Sequence, residues 1–190
     1  MEALAPIGGR RWAFQIALYR LKMQWSKLKR NVESFFADSV KGRIGLHSTR
    51  YRTMHDHDGR AWITLDGKEV INMVHIWKWL YELDKKAAAL AGVNNLRERK
   101  KYEAFKKDAE KALEQDSFFM QSHLGGAMHD YQSMSIDNIL SSENHIIRAL
   151  GMLDRRFGKR RLKEFDVAFE HYLVKTTYFF RAQAEGILKE

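Results

Sequence analysis

The hydrophobic pattern of the first 52 residues changes its period near Gly42. Between Arg10 and about Phe36, apolar residues recur at spacings of three and four, which predicts a helix that ends at Gly42. Residues 43–52 then alternate between apolar and polar types and are rich in strand-forming residues. We therefore expect a helix followed by a β-strand.

Two further strands are predicted directly after this one. Residues 61–65 and 68–74 carry strand-forming residues, and Asp66-Gly67 separates them. This dipeptide favours a tight hairpin turn, because such a turn needs positive φ angles. The three segments together predict a three-stranded antiparallel β-meander, which needs helices to cover one of its faces.

Every segment after His75 has a helical pattern. Predicted helices lie at about 76–90, 102–113, 118–131, 141–158 and 169–188. The expected N-cap is Asp116 or Ser117 for the third of these helices and Ser141 or Ser142 for the fourth. The predicted fold class is thus α+β: the meander near the N-terminus packs with a mostly helical remainder of about five to six helices.

The composition excludes several classes of function. The chain has no cysteine, which excludes disulfide scaffolds, thiolate zinc sites, iron–sulfur clusters and cysteine nucleophiles. Hydrophobic residues make up 45% of the 190 residues, enough for a real core. No stretch approaches the ~20 apolar residues that a transmembrane segment needs, and the absence of cysteine fits a cytoplasmic location.

The positive charge of the chain is concentrated in two places. The formal net charge is +9, and residues 1–60 supply +7 of it from twelve Lys and Arg against five Asp and Glu. A second basic run lies at Asp154–Lys163. Such concentrations predict an anionic partner such as RNA or DNA. The candidate anion-binding residues are Arg43, Arg50, Arg52, Arg155, Arg156, Lys159, Arg160 and Arg161.

Two considerations oppose this nucleic-acid interpretation. The second basic run is predicted at a helix end broken by Gly158, where bases simply complement the helix dipole. Arg50 and Arg52 should share one face of the sheet, which suits an RNA platform. The aromatic residues that such a platform needs are not evident, however, because we expect Trp62, and not its neighbour Ile63, to face the core.

Two long motifs resemble a known family. They are His55-Asp56 followed by Gly59-Arg-Ala-Trp-Ile-Thr-Leu-Asp-Gly67, and Leu153-Asp-Arg-Arg-Phe-Gly-Lys-Arg-Arg-Leu162. From about Met23 to its end, the chain resembles a small protein family of enteric bacteria and bacilli that has no assigned activity. The resemblance implies a bacterial cytosolic protein, and it carries over no catalytic residue and no cofactor.

The first 22 residues differ from this family pattern, since family members begin close to the equivalent of Met23. Residues 1–22 are therefore expected to be an N-terminal extension, either a genuine added helix or the product of an upstream start codon. Residues 23–190 are expected to form a single α+β domain.

A weak metal-site candidate lies in the predicted turn between the first two strands. It consists of His55, Asp56, His57 and Asp58. His and Asp both ligate metals, yet Asp is also favoured in turns for backbone reasons. A metal-dependent hydrolase is thus one alternative, although no nucleophile motif or P-loop is present and we expect neither catalytic residues nor a cofactor.

The other alternative is a protein-binding module, such as a toxin-immunity or defence partner, that uses aromatic helices. Trp77, Trp79 and Tyr81 surround the first long helix on more than one side. A helix that is apolar over a wide arc is either buried or contacts a partner, and we expect burial within the domain. The aromatic final helix is likewise either buried within the domain or in contact with a partner, and a second copy of the chain in a homodimer is one such partner.

Overall fold

The computed structural model describes residues 25–49 and 59–188. These residues form three strands and a larger set of helices. The strands are β1 (Ile44–Ser48), β2 (Ala61–Leu65) and β3 (Lys68–Met73). The helices are α1 (Trp25–Glu33), α2 (Ile76–Leu90), α3 (Arg99–Tyr102), a 3₁₀ turn (Glu103–Phe105), α4 (Lys106–Gln115), α5 (Gln121–Tyr131), α6 (Ile136–Leu140), α7 (His145–Leu153), α8 (Lys159–Glu164) and α9 (Tyr172–Ala184).

The sheet is the predicted antiparallel meander, in the order β1-β2-β3. Asp66 and Gly67 have φ angles of 47° and 77°, the positive values that a tight hairpin turn requires. Ile63 pairs with Leu46 and Ile71 across the sheet. These three side chains are buried, so one sheet face packs against the helices and fixes the register.

The interior consists of two hydrophobic clusters. The larger joins the inner sheet face to α1, α5, α7 and α9, and α7 packs against α9 within it. The smaller lies between α2 and α4, around Trp79, Leu83 and Tyr102. The α+β class is confirmed by this arrangement.

The helices are more numerous than the predicted five to six, because one predicted helix is divided and two short helices were not predicted. The segment predicted at 102–113 forms α3, a 3₁₀ turn and α4, the segment predicted at 141–158 forms only α7, and α6 and α8 lie outside the predicted segments. The first helix also ends earlier, at Glu33, and turns lead from it to β1.

The predicted N-caps of two helices were wrong. Helix α5 begins after Met120, and Ser117 instead has a φ angle of 60° in the turn before it. Helix α7 is capped by Asn144, whose side chain accepts from the N–H groups of Ile146 and Ile147. Ser142 lies just outside and accepts from the Asn144 N–H, so it supports the cap residue.

No helix in the described ranges is long and apolar enough to cross a membrane.

Candidate nucleic-acid interface

The basic run lies between and within two helices, which corrects the prediction that all of it lies at one helix end: Arg155 and Arg156 follow the C-cap of α7, and the remaining bases lie in α8. Gly158 has extended backbone angles and is the N-cap of α8. Lys159 and Arg160 therefore lie in the first turn, where the helix dipole disfavours positive charge. The dipole favours only Arg161 and Lys163, in the last turn, so helix electrostatics do not account for the run as a whole.

Arg156 points inward and is a structural residue. Its guanidinium donates to both carboxylate oxygens of Asp154, at 2.6–3.1 Å, and to the carbonyl of Met134 at 2.9 Å. It also lies 4.2 Å from the centre of the Phe35 ring. Asp154 is fully buried, so Arg156 neutralises a charge that has no access to water.

Tyr131 completes the contacts of this buried carboxylate. Its hydroxyl donates to Asp154 at 2.6 Å. Burial, followed by the charge and the hydrogen bond of Asp154, raises the pKa of Tyr131, so the hydroxyl keeps its proton. The sequence predicts that Arg156 binds an anion from outside, and the structure shows instead that its anion is Asp154.

Two of the remaining cations have partners on the surface. Arg161 pairs with Asp137 at 2.7 Å, and the carboxylate of that residue is 75% exposed. Lys159 donates to the backbone carbonyl of Glu185. Exposed contacts of this kind contribute at most about 1 kcal/mol, so a phosphate group can replace them.

Three other basic side chains have no such partner. Arg155, Arg160 and Lys163 are exposed, and within residues 25–49 and 59–188 they form neither an ion pair nor a side-chain hydrogen bond. Arg155 and Arg160 belong to the predicted set and Lys163 is added by the structure; these three are the side chains of the run most available to a polyanion.

Arg43 lies near the same end of α9 as Lys159. Its guanidinium forms a bidentate pair with Asp66, at 2.6 and 2.8 Å, and stacks 4.7 Å from the Phe180 ring centre. Lys159 contacts the C-cap residue of the same helix, Glu185. We call Arg43, Arg155, Lys159, Arg160 and Lys163 the basic surface.

Several predicted site residues lie outside the described residues. They are Arg50, Arg52, His55, Asp56, His57 and Asp58. Elsewhere in the described part of the chain, no group of three metal-ligating side chains comes together.

Trp62 faces away from the core, contrary to the prediction. Ile63 is the buried residue of the two, at 1% exposure, and Trp62 lies on the outer face of the sheet. His47 stacks on the indole, with ring centroids 4.8 Å apart and an interplanar angle of 9°. The guanidinium of Arg60 lies 4.1 Å from the Trp62 ring centre. The outer face thus carries the aromatic group that the sequence interpretation lacked.

The alternation in β2 contains the signal that identifies this face. Ala61, Ile63 and Leu65 are three aliphatic residues at alternate positions, and Trp62 and Thr64 occupy the positions between them. Three aliphatic side chains bury one face more consistently than a single Trp does. Counting the whole strand therefore gives the observed orientation.

A second cluster of polar side chains lies between the helices, around His171. Its Nδ1 accepts a hydrogen bond from the Leu173 N–H at 3.1 Å, as the N-cap of α9. The neutral ring therefore carries its proton on Nε2, which faces the carbonyl of Glu114 at 3.0 Å and the hydroxyl of Ser117 at 3.1 Å. A protonated Nε2 cannot activate Ser117, so this pair is a cap and not a catalytic dyad.

The histidines of this region make stability sensitive to acid. His145 stacks on His171 at 4.2 Å, and burial lowers the pKa of His145 and of His123 to about 4. Below the ordinary value of about 6.5, the unfolded chain binds protons that the folded chain does not, so stability falls as the pH falls toward 4. Burial raises the pKa of Glu110 and Glu114, and this opposes the histidines.

We expect His145→Gln to weaken this acid sensitivity. The wild type should lose more thermal stability than the variant between pH 7.5 and pH 5, by about 2–4 °C in Tm, since one titrating group is removed. Melting curves followed by circular dichroism at both pH values measure the difference. Equal losses in the two proteins would show that His145 does not contribute.

The fold and the surface define an α+β protein with a basic outer region and an aromatic outer sheet face. A family model matches residues 24–182, and the chain belongs to the SF0329 protein family. No curated protein and no solved structure matches the chain.

Proposed function

We propose that this protein is a non-enzymatic bacterial cytosolic protein that binds RNA or DNA, without strong sequence preference, through the basic surface. The observation that carries the proposal is the exposure of Arg155, Arg160 and Lys163 without carboxylate partners in the described part of the chain. A polyanion that neutralises these charges releases counterions, and this release favours binding.

The position of these charges supports the proposal. Lys159 and Arg160 lie in the first turn of α8, where the dipole is unfavourable, and the like charges of Lys159 and Lys163 repel because these residues are four apart on the helix. The arrangement does not stabilise the helix, and a bound phosphate relieves both the repulsion and the dipole penalty. Arg43 extends the positive region toward the sheet through its contact with Phe180 of α9.

Removing the three unpaired charges tests the proposal. We expect the triple variant Arg155→Gln, Arg160→Gln, Lys163→Gln to bind a fluorescein-labelled 20-nucleotide single-stranded RNA about tenfold or more weakly at low salt. For each phosphate that the variant no longer neutralises, the slope of log K against log salt should become shallower by about 0.7 for the single-stranded RNA and by about 0.9 for a DNA duplex. Fluorescence anisotropy over a range of KCl concentrations measures both quantities, and a 20-base-pair DNA duplex is titrated in parallel.

A matched triple variant controls for net charge. Lys100, Lys107 and Lys111 are exposed on α3 and α4, and within the described ranges they too have no ion pair. Changing all three to Gln removes the same amount of positive charge from α3 and α4, away from the basic surface. We expect this control variant to lose less than threefold in RNA affinity. Equal losses in the two triple variants would contradict a localised site, and no binding by the wild type would overturn the proposal.

The exposed aromatic residues favour a second candidate, a protein-binding module. Trp79 is buried as predicted, whereas Trp77 and Tyr81 are 65% and 57% exposed, which corrects the prediction that they are buried. On α9, Tyr172 and Phe179 are also exposed, seven residues apart on one face. Co-purification of a stoichiometric protein that is lost in a Trp77→Ala, Tyr81→Ala variant would favour this candidate over nucleic acid.

A further inference from the structure

We propose that the outer face of the sheet binds a base of a single-stranded nucleic acid, stacked on Trp62. This inference rests on the proposed function and specifies its ligand as a single strand. Duplex bases are stacked on one another, so only an unpaired base can lie on the indole.

The indole of Trp62 is held in position before any ligand arrives. His47 stacks on it across the β1–β2 pair, and the His47 ring is itself fixed by a 3.1 Å contact between its Nε2 and the hydroxyl of Thr64. Gly45 leaves the space for this flat ring, because a Cβ at that position would overlap both His47 Nε2 and the Thr64 hydroxyl. A fixed aromatic ring loses little conformational freedom on binding, which favours affinity.

The guanidinium of Arg60 covers the indole of Trp62, and a ligand can displace it. Its side chain is 40% exposed, and it is tethered by one surface ion pair to Glu69, whose side chain is 37% exposed. An exposed ion pair and an exposed cation–π contact are both weaker than the stacking of a base on an aromatic ring. A base can therefore replace the guanidinium on Trp62, and Arg60 then pairs with a neighbouring phosphate through its planar fork.

The stacking position lies on the same sheet as one residue of the basic surface. Arg43 directly precedes β1, and its contacts with Asp66 and with Phe180 place it at the hairpin end of the sheet, beside α9. At a rise of about 3.3 Å per residue, Arg43 lies about 13 Å along the strand from His47, a span of about two nucleotides. A nucleic-acid strand with one base on Trp62 is thus long enough to reach Arg43.

Binding of single strands and of duplexes by Trp62→Ala tests the inference. We expect this variant to bind 20-nucleotide oligo-U and oligo-dT about tenfold more weakly than the wild type, with less than a twofold change for a 20-base-pair DNA duplex. Oligo-dU of the same length is titrated as well, because oligo-U and oligo-dU differ only in the sugar and their comparison shows which sugar is preferred. Trp77→Ala is the matched control, since it removes an exposed tryptophan from α2, and it should change none of these affinities more than twofold.

A conservative variant guards against a loss of folding. Trp62→Phe keeps an aromatic face, so we expect it to melt near the wild-type temperature and to weaken single-strand binding only a few-fold. Equal weakening of single strands and duplex by Trp62→Ala, or weakening of neither, would overturn the inference. If the wild type binds and the basic-surface triple variant loses affinity, the proposed function stands even when this inference fails. If the wild type binds neither nucleic acid, both fail.

Discussion

Replacing Arg181 by Met is expected to lower the free energy of unfolding by about 3–5 kcal/mol. Arg181 is only 2% exposed, and its guanidinium donates to the backbone carbonyls of Met152, Asp154 and Phe157 at 2.6–3.0 Å. It also pairs with Glu185 at 2.7 Å. Met fills a similar volume, yet it removes the guanidinium donor of the Met152 and Phe157 carbonyls and the charge partner of Glu185. The Asp154 carbonyl and the Glu185 carboxylate keep one donor each, from the Phe157 N–H and the Ser39 hydroxyl.

Urea denaturation followed by circular dichroism measures this loss. Arg160→Met is the matched control, because Arg160 is exposed and without an ion pair in the described residues, and we expect a change within about 0.5 kcal/mol. A loss below about 1 kcal/mol for Arg181→Met would show that the carbonyls find other donors and that the buried arginine is not essential.

Replacing Asp154 by Asn is the second change with a large expected effect, again about 3–5 kcal/mol. The carboxylate is fully buried and accepts from Tyr131, from the side chain of Arg156 and from the Arg156 N–H at 2.8 Å. Asn has nearly the same shape but no charge, so it leaves the partly buried guanidinium without a counter-ion. The NH₂ group of Asn is itself a donor, so it would face the N–H and O–H donors that a carboxylate oxygen accepts from in the wild type.

Asp137→Asn provides a matched comparison for this second change. Asp137 also pairs with an arginine, Arg161, but on the surface, so its loss should cost no more than about 1 kcal/mol. Chemical denaturation of both variants under one set of conditions measures the contrast. Similar small losses in both would mean that Asp154 is not held as a buried charge.

Both changes act on the segment that presents the basic surface. Arg181 binds the carbonyls on either side of Arg155, and Arg156 anchors the same turn through Asp154. The turn between α7 and α8 is therefore fixed from within, and Arg155 and Arg160 are held outward. Two arginines of the region serve the fold, and their neighbours remain available to a ligand.

The sheet could be predicted from the sequence because its determinants are local. Asp66 and Gly67 specify a turn through their own backbone preferences, and the flanking alternation gives the strands. The predicted orientation of Trp62 was wrong because the prediction relied on the large size of one side chain and not on the alternation of residues along the whole strand. Ala61 and Leu65, which lie two residues before and after Ile63, decide the orientation of the strand together with it.

The candidate site was predictable only in part. The inward orientation of Arg156, in contrast to the exposure of Arg155, depends on Phe35, Tyr131 and Asp154, which come from three separate parts of the chain. No local pattern distinguishes one arginine of the run from the next. The predicted role of Gly158 was wrong for a similar reason, since a glycine precedes some helices and follows others.

The most direct test of the central claim is a salt titration of nucleic-acid binding by the wild-type protein. Anisotropy of a labelled 20-nucleotide RNA is measured at KCl concentrations from about 25 to 300 mM, with the basic-surface triple variant alongside. We expect log K to fall linearly with log salt, with a slope of about −3 or steeper that becomes shallower by about two in the triple variant. Binding that is absent at the lowest salt, or a slope that the triple variant leaves unchanged, would contradict the account.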